Sequence, residues 1–256
     1  MTLATAAISE PRVRAGGTPA SGGPVDRAVL EDLAAASRIL VDQGVFDAAG
    51  HFSMRHPGHP ERFLMSRSLA PALVGADDIM EFDLDAEACD ARGRNGFLER
   101  FIHSEIYRAR PDVMAVAHSH SAAVIPFGLV DTPLRATYHN AAFLAAGVPV
   151  FDIREKFGTT DIVVNTSEKG AALAEVLADK AVALLRAHGM VAVGPTVPDT
   201  VFRAIFTEVS ARVQLQAAML GGSIAALDEE EGRLADAINL ATVGRSWDLW
   251  KRRVTQ

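Results

Sequence analysis

Between Phe97 and His120 a helical pattern gives way to a short apolar run that ends in His118-Ser119-His120. Leu98, Phe101, Ile102 and Ile106 recur at three- and four-residue spacing, which marks one buried helical stripe. Pro111 closes that helix, because the residue before a proline avoids the α region. Glu99, His103 and Tyr107 share a second face at four-residue steps. Val113 to Ala117 reads as a strand, and period-two alternation sends His118 and His120 to the same side of a sheet. Two imidazoles on one face can grip one ion, so the stretch is a helix followed by a strand that ends in a metal clamp.

A third imidazole comes from much later in the chain. Arg186-Ala-His-Gly lies between the apolar runs Ala181 to Leu185 and Met190 to Val193, which read as strands. Gly189 is expected to let the backbone turn sharply and leave His188 at the bend. A single histidine beside an apolar run is more often a core or surface residue than a ligand, so the weight rests on the group. His118, His120, His188 and Glu99 offer three nitrogens and one oxygen, a set suited to one divalent metal ion with room for a substrate. Zn, Mn, Fe and Co are all compatible with such mixed ligation.

The rest of the chain supplies a frame. Residues 1–25, rich in Ala, Gly, Ser, Thr and Pro and without periodicity, are expected to form a disordered N-terminal arm. Asp26 to Gln43 reads as an amphipathic helix, and Gly50-His51-Phe52-Ser53-Met54-Arg55 as a glycine-led strand. A second strand at Phe63-Leu-Met delivers Ser66, Arg67 and Ser68 into a loop of the kind that meets ligands. Arg67 offers a planar fork suited to a carboxylate, with surface pairing to Asp77 or Asp78 as the alternative. Ile79 to Leu84 reads as a strand and Glu168 to Ala178 as a helix. Between them, Lys156 to Asp161 is a loop able to order over a ligand, and His139 is a site candidate without spacing to support it. Pro198 to Leu220 reads as a long helix with Val201, Ile205, Phe206, Val209, Val213 and Leu220 inward. The domain is expected to span 26–222, with a helical extension over 223–256 in which Trp247 and Trp250 pack.

Gly50-His-Phe-Ser-Met-Arg, the Glu99 helix, His118-Ser-His and Arg186-Ala-His-Gly-Met-Val-Ala-Val-Gly, in that order, resemble the class II aldolase/adducin family, from about Asp26 to Gly221. The resemblance implies an α/β fold: a three-layer α/β/α domain around a central, mostly antiparallel sheet. It further implies one divalent metal ion per subunit, held by His118, His120 and His188, with Glu99 as fourth ligand or acid/base. Phe63-Leu-Met-Ser-Arg-Ser-Leu-Ala-Pro and Leu98-Glu-Arg-Phe-Ile-His-Ser-Glu-Ile-Tyr-Arg resemble its decarboxylase branch, which acts on hydroxylated aromatic dicarboxylates. Examples are 3,4-dihydroxyphthalate and 3-hydroxy-2-methylpyridine-4,5-dicarboxylate. On that reading Glu99 moves the proton and either His51 or His103 shares the task, with no choice between them in the sequence, while Ser66, Arg67, Ser68 and His51 meet the substrate. His51 stands where many aldolases of the family carry Asn. The family's sugar-phosphate aldolases and epimerases place small hydroxylated residues before the glutamate, whereas this chain has Phe97 and Leu98, an apolar wall better matched to an aromatic ring. An adducin-like binding module is the third reading, and it predicts lost ligands, yet all four are here. The family commonly forms tetramers, so a homo-oligomer is expected.

Bulk properties narrow the partners. A net charge of −7 without a long basic run argues against nucleic acid. Cys89 is the only cysteine, so no internal disulfide can form. No apolar run reaches the length of a membrane span. A cytoplasmic protein acting on a small molecule is the expectation.

Overall fold

The structure, a computed structural model, describes residues 17–255. Seven strands form one sheet: β1 (His51–Arg55), β2 (Arg62–Ser66), β3 (Ile79–Asp83), β4 (Ala115–Ser119), β5 (Val150–Phe151), β6 (Val182–Leu185) and β7 (Gly189–Gly194). Their order is β3-β2-β1-β4-β7-β6-β5. Every pairing is antiparallel except β5 with β6. The helices are α1 (Arg27–Asp42), α2 (Arg100–Ala109), α3 (Arg154–Phe157), α4 (Ser167–Leu177), α5 (Val197–Leu220), α6 (Glu229–Leu240) and α7 (Val243–Thr255).

Alternation along the strands explains the three layers. Ala115 and Ala117 of β4, with Met190 and Ala192 of β7, join Leu33 and Ile39 of α1, Val201 and Ile205 of α5 and both tryptophans of α7 in one core. Val116, Val191 and Val193 point the other way, into a second core with Ile102 and Ile106 of α2 and Leu173 and Leu177 of α4. A strand buried on both faces has no polar side to show, which is why Ala115–Ser119 and Gly189–Gly194 are buried throughout. The mostly antiparallel α/β/α expectation holds. Trp247 and Trp250 pack as expected, Trp250 lying 6.5 Å from the Phe202 ring.

Four local expectations are corrected. The helix that carries the first stripe begins at Arg100 with Glu99 as its N-cap, so Leu98 falls outside the helical period and is 61% exposed rather than buried. Leu220 is 89% exposed, because the last turn of α5 runs out past the core. The expected arm is not free at its end. Residues 1–16 lie outside the described residues, but Ser21 and the Gly22 amide both donate to Glu81 at 2.5 Å, and Arg62 donates to the Ala20 carbonyl. Finally, the left-handed residue in the β6–β7 turn is Ala187, at φ +56°, and not Gly189. Gly189 serves a different need: a Cβ there would lie 1.9 Å from the Ser119 carbonyl oxygen, so only glycine lets β7 approach the end of β4. Among the described residues no helix is long and apolar enough to cross a membrane.

Candidate active site

The sheet brings the expected ligands together at one end of its middle strands. His118 shares its face with Val116, toward α2, and His120 follows just past the end of β4. Met190 of β7 pairs with Ser119, so the β6–β7 turn that carries His188 lies beside the end of β4. Glu99 enters from above, at the N-cap of α2. One candidate ligand atom from each of Glu99, His118, His120 and His188 lies within 4.8 Å of the others, so the four could hold a metal ion.

Their orientation follows from what holds each ring from behind. The Nδ1 atoms of His118 and His188 donate to the carbonyls of Met190 and Ile162, each at 3.1 Å. His120 Nδ1 meets the Asp47 carboxylate at 3.2 Å. With a proton on each Nδ1, all three Nε2 atoms present lone pairs to the centre. Glu99 is held in the same way: its Oε1 accepts the Val164 amide at 2.9 Å, and Oε2 stands 3.4 Å from both His118 Nε2 and His188 Nε2.

Lone pairs gathered in this way repel unless a cation lies among them. His120 Nε2 and His188 Nε2 are 3.2 Å apart, and His118 Nε2 is buried without a hydrogen bond. Ligand atoms about 2.0–2.1 Å from a tetrahedral metal stand roughly 3.3 Å from one another, close to the three spacings of 3.2–3.4 Å, and the four atoms all lie within 4.8 Å. The donor set therefore fits a divalent ion. Charge agrees: burial works against ionisation of Glu99, but His118 and His188 outweigh it and hold the carboxyl well below the usual carboxylate range. Burial likewise opposes a charge on His188, yet Glu99 leaves its pKa raised, so the pocket draws a positive charge to this point. A metal binding there would compete with a proton for Nε2.

Beside the metal cluster runs a second file of buried side chains. His51 stands directly opposite His118 in the β1–β4 pairing. Its Nδ1 lies 2.7 Å from His103 Nε2, His103 Nδ1 lies 2.6 Å from Ser53 Oγ, and Ser53 Oγ lies 2.8 Å from the Tyr107 hydroxyl. Among the described residues no protein hydrogen bond reaches His51 Nε2, so that nitrogen is the end of the file. Phe97 packs on the His51 ring at 4.8 Å. Burial pushes the His103 pKa down to about 3. Unfolded, this histidine takes a proton near pH 6.5; folded, it refuses one until about pH 3. Its share of stability is thus complete above pH 6.5 and is lost as pH falls toward 3, at about 1.4 kcal/mol per pH unit. Urea midpoints of the metal-free protein at pH 7, 6 and 5 should fall less steeply in His103→Asn by that one proton.

Other expected residues stand apart from the cluster. Arg67 donates from Nε to Asp78 at 2.7 Å, the surface pairing, and no hydrogen bond or ion pair joins it to the four ligands. Ser66 is buried at the end of β2, and the Ser68 amide donates to the Asn95 carbonyl. His139 is exposed beside Asn140. Burial pushes the Cys89 thiol up to about 12, which removes it as a nucleophile. Sequence reasoning missed Asp47, Ile162, Val164, Ser53 and Tyr107. The first three act from loops or through backbone atoms, which leave no mark in residue type; Tyr107 was visible on the Glu99 stripe, but its partner Ser53 was not.

The family model described as the class II aldolase and adducin N-terminal domain matches residues 31–215, most of the chain. The chain belongs to this family. Within it, the decarboxylase tropJ of Talaromyces stipitatus is 36% identical over 84% of this chain and 90% of its own length. A 3,4-dihydroxyphthalate decarboxylase of Arthrobacter keyseri is 27% identical over 88% of this chain and 92% of its own. Among solved structures, the L-fuculose 1-phosphate aldolase of Glaciozyma antarctica matches with a TM-score of 0.73 at 25% identity, over 90% of this chain and 94% of that one. Named decarboxylases related over most of its length make this class II aldolase homologue a carboxy-lyase.

Proposed function

We propose that this enzyme is a metal-dependent, non-oxidative decarboxylase that removes, as CO2, the carboxylate ortho to a ring hydroxyl of an aromatic dicarboxylate. Substrates of the type of 3,4-dihydroxyphthalate or 3-hydroxy-2-methylpyridine-4,5-dicarboxylate fit the reading. The observation that carries it is the approach to Glu99. Phe97 lies against the His51 ring and Leu98 is open to solvent immediately before the carboxylate, so the entrance is an apolar wall on which a flat ring can rest.

A ring carbon loses its carboxylate most readily when it is protonated first and a neighbouring oxygen can become a carbonyl. A divalent ion held by His118, His120, His188 and Glu99 would act as a Lewis acid on the substrate's oxygens. The chain's own residues do the rest. His51, which stands opposite His118, would carry the proton that the carbon receives, and Glu99, held ionised beside the imidazoles, would take part as its acceptor. His103 keeps His51 turned toward the substrate. Ser66, Arg67 and Ser68, at the end of β2 on the side of His51, would meet the carboxylate that stays; Arg67 would reach it by exchanging Asp78 for the substrate. A sugar-phosphate aldolase or epimerase is the second reading, supported by the likeness to the solved fuculose phosphate aldolase.

The test is CO2 release from both aromatic dicarboxylates, followed with the ring's ultraviolet spectrum. Turnover is expected from one of them, to vanish after dialysis against a chelator, and to return with Zn, Mn, Fe or Co. Cleavage of a sugar phosphate with neither ring consumed would transfer the case to the aldolase.

A further inference from the structure

One helix residue grips the segment that holds two of the four ligands. Lys169, in the first turn of α4, reaches back over residues 161–165, where its Nζ donates to the Val163 carbonyl at 3.0 Å and to Asn165 Oδ1 at 2.9 Å. Asp161 Oδ1 is 3.4 Å away. The three donors of the ammonium are thus spent on alternate residues of one segment. The residues between them face the other way: the Val164 amide donates to Glu99, and the Ile162 carbonyl accepts His188 Nδ1.

The Val163–Val164 peptide is the link. In a trans peptide the carbonyl and the following amide point in opposite directions. Lys169 therefore holds the oxygen of the same unit whose hydrogen Glu99 Oε1 accepts, and a cation on the oxygen polarises that amide toward the carboxylate. Ile162 adds a second sign. It sits at φ +59°, a sparsely populated conformation for a β-branched residue, which persists only where the surroundings impose it. The charge is also placed against the usual preference, since the N-terminal turn of a helix disfavours a cation. Both features make sense if the segment must be held in one shape.

The base of this clamp is rigid. Gly170, next to Lys169, lies so close to α2 that a Cβ there would be 2.4 Å from the Phe101 carbonyl oxygen. Since Glu99 caps α2, the ammonium and the carboxylate stand on two closely packed helices.

We propose that Lys169 is a positioning residue of the metal centre: acting through the Val163–Val164 peptide and Ile162, it fixes Glu99 with Oε2 alone toward the metal and His188 with Nε2 toward it. The proposal rests on reading the four residues as a metal site, and not on the identity of the substrate.

The test is titration of the metal-free protein with Co2+ against a competing chelator, together with the visible absorption spectrum of the Co2+ form. Lys169→Met is expected to weaken Co2+ binding about 10- to 100-fold, the range for groups that orient ligands, and to shift the visible bands. Lys169→Arg, which keeps a cation, is expected to recover most of the affinity. Lys169→Gln serves if the methionine variant does not fold, with the same direction and a smaller factor. A variant that melts earlier but keeps wild-type Co2+ affinity and spectrum overturns the proposal, since a purely structural lysine would behave that way. Wild-type protein that takes up no Co2+ overturns the metal reading itself, and this proposal with it.

Discussion

Glu99→Gln is expected to lower CO2 release by about 10²- to 10⁴-fold while the protein stays folded. The amide is nearly isosteric, and its oxygen can still accept the Val164 amide that now bonds Oε1. What changes is the other atom. Where Oε2 faces His118 and His188 at 3.4 Å, the variant must present an NH2 group to two lone pairs and to any cation between them. That group can neither ligate a metal nor carry the ring proton. Metal affinity measured beside turnover separates the two roles: the 3.4 Å spacing to both imidazoles predicts that it falls as well. Full metal occupancy with lost turnover would assign Glu99 to proton transfer alone, and wild-type turnover would end its place in the mechanism.

His118→Ala is expected to abolish both metal uptake and CO2 release. His118 is fully buried, and its Nε2 has no hydrogen bond, only a 3.4 Å contact with Oε2 of Glu99, itself a candidate ligand. Removing a ligand should weaken binding by more than about 100-fold, beyond the range for groups that merely orient ligands. The fold loses the Nδ1 bond to Met190 and gains a small cavity, a destabilisation of about 2 kcal/mol that a stable domain survives. Elemental analysis and circular dichroism of the purified variant read the two effects separately. A folded His118→Ala protein that still releases CO2 would sink the metal-centred reading.

Much of this arrangement was legible in the sequence, for a definite reason. Strand alternation tied His118 to His120, helical spacing tied Glu99 to His103 and Tyr107, and each relation needs only local geometry. The sheet order was not legible, because the register that sets His51 against His118 joins residues far apart in the chain. The Gly189 expectation failed on the same ground: its need is a carbonyl at Ser119, seventy residues earlier, which no reading of the turn alone contains. Leu98 failed more simply, since a stripe counted by helical spacing was carried two residues beyond the true start of the helix. Arg67 had its surface partner within sequence reach, and Asp78 was among the two weighed.

The file from His51 to Tyr107 has a property that none of its members has alone. A neutral imidazole can give a hydrogen at one nitrogen only, so the two bonds of His103 are tied: when it donates to Ser53 it accepts from His51, and when it accepts from Ser53 it donates to His51. In one sense His51 turns an N–H toward the substrate; in the other it turns a lone pair. Reversing the direction at Ser53 therefore reverses the chemical character of a nitrogen two imidazoles away, and the site holds its donor and acceptor states as two settings of a single buried switch.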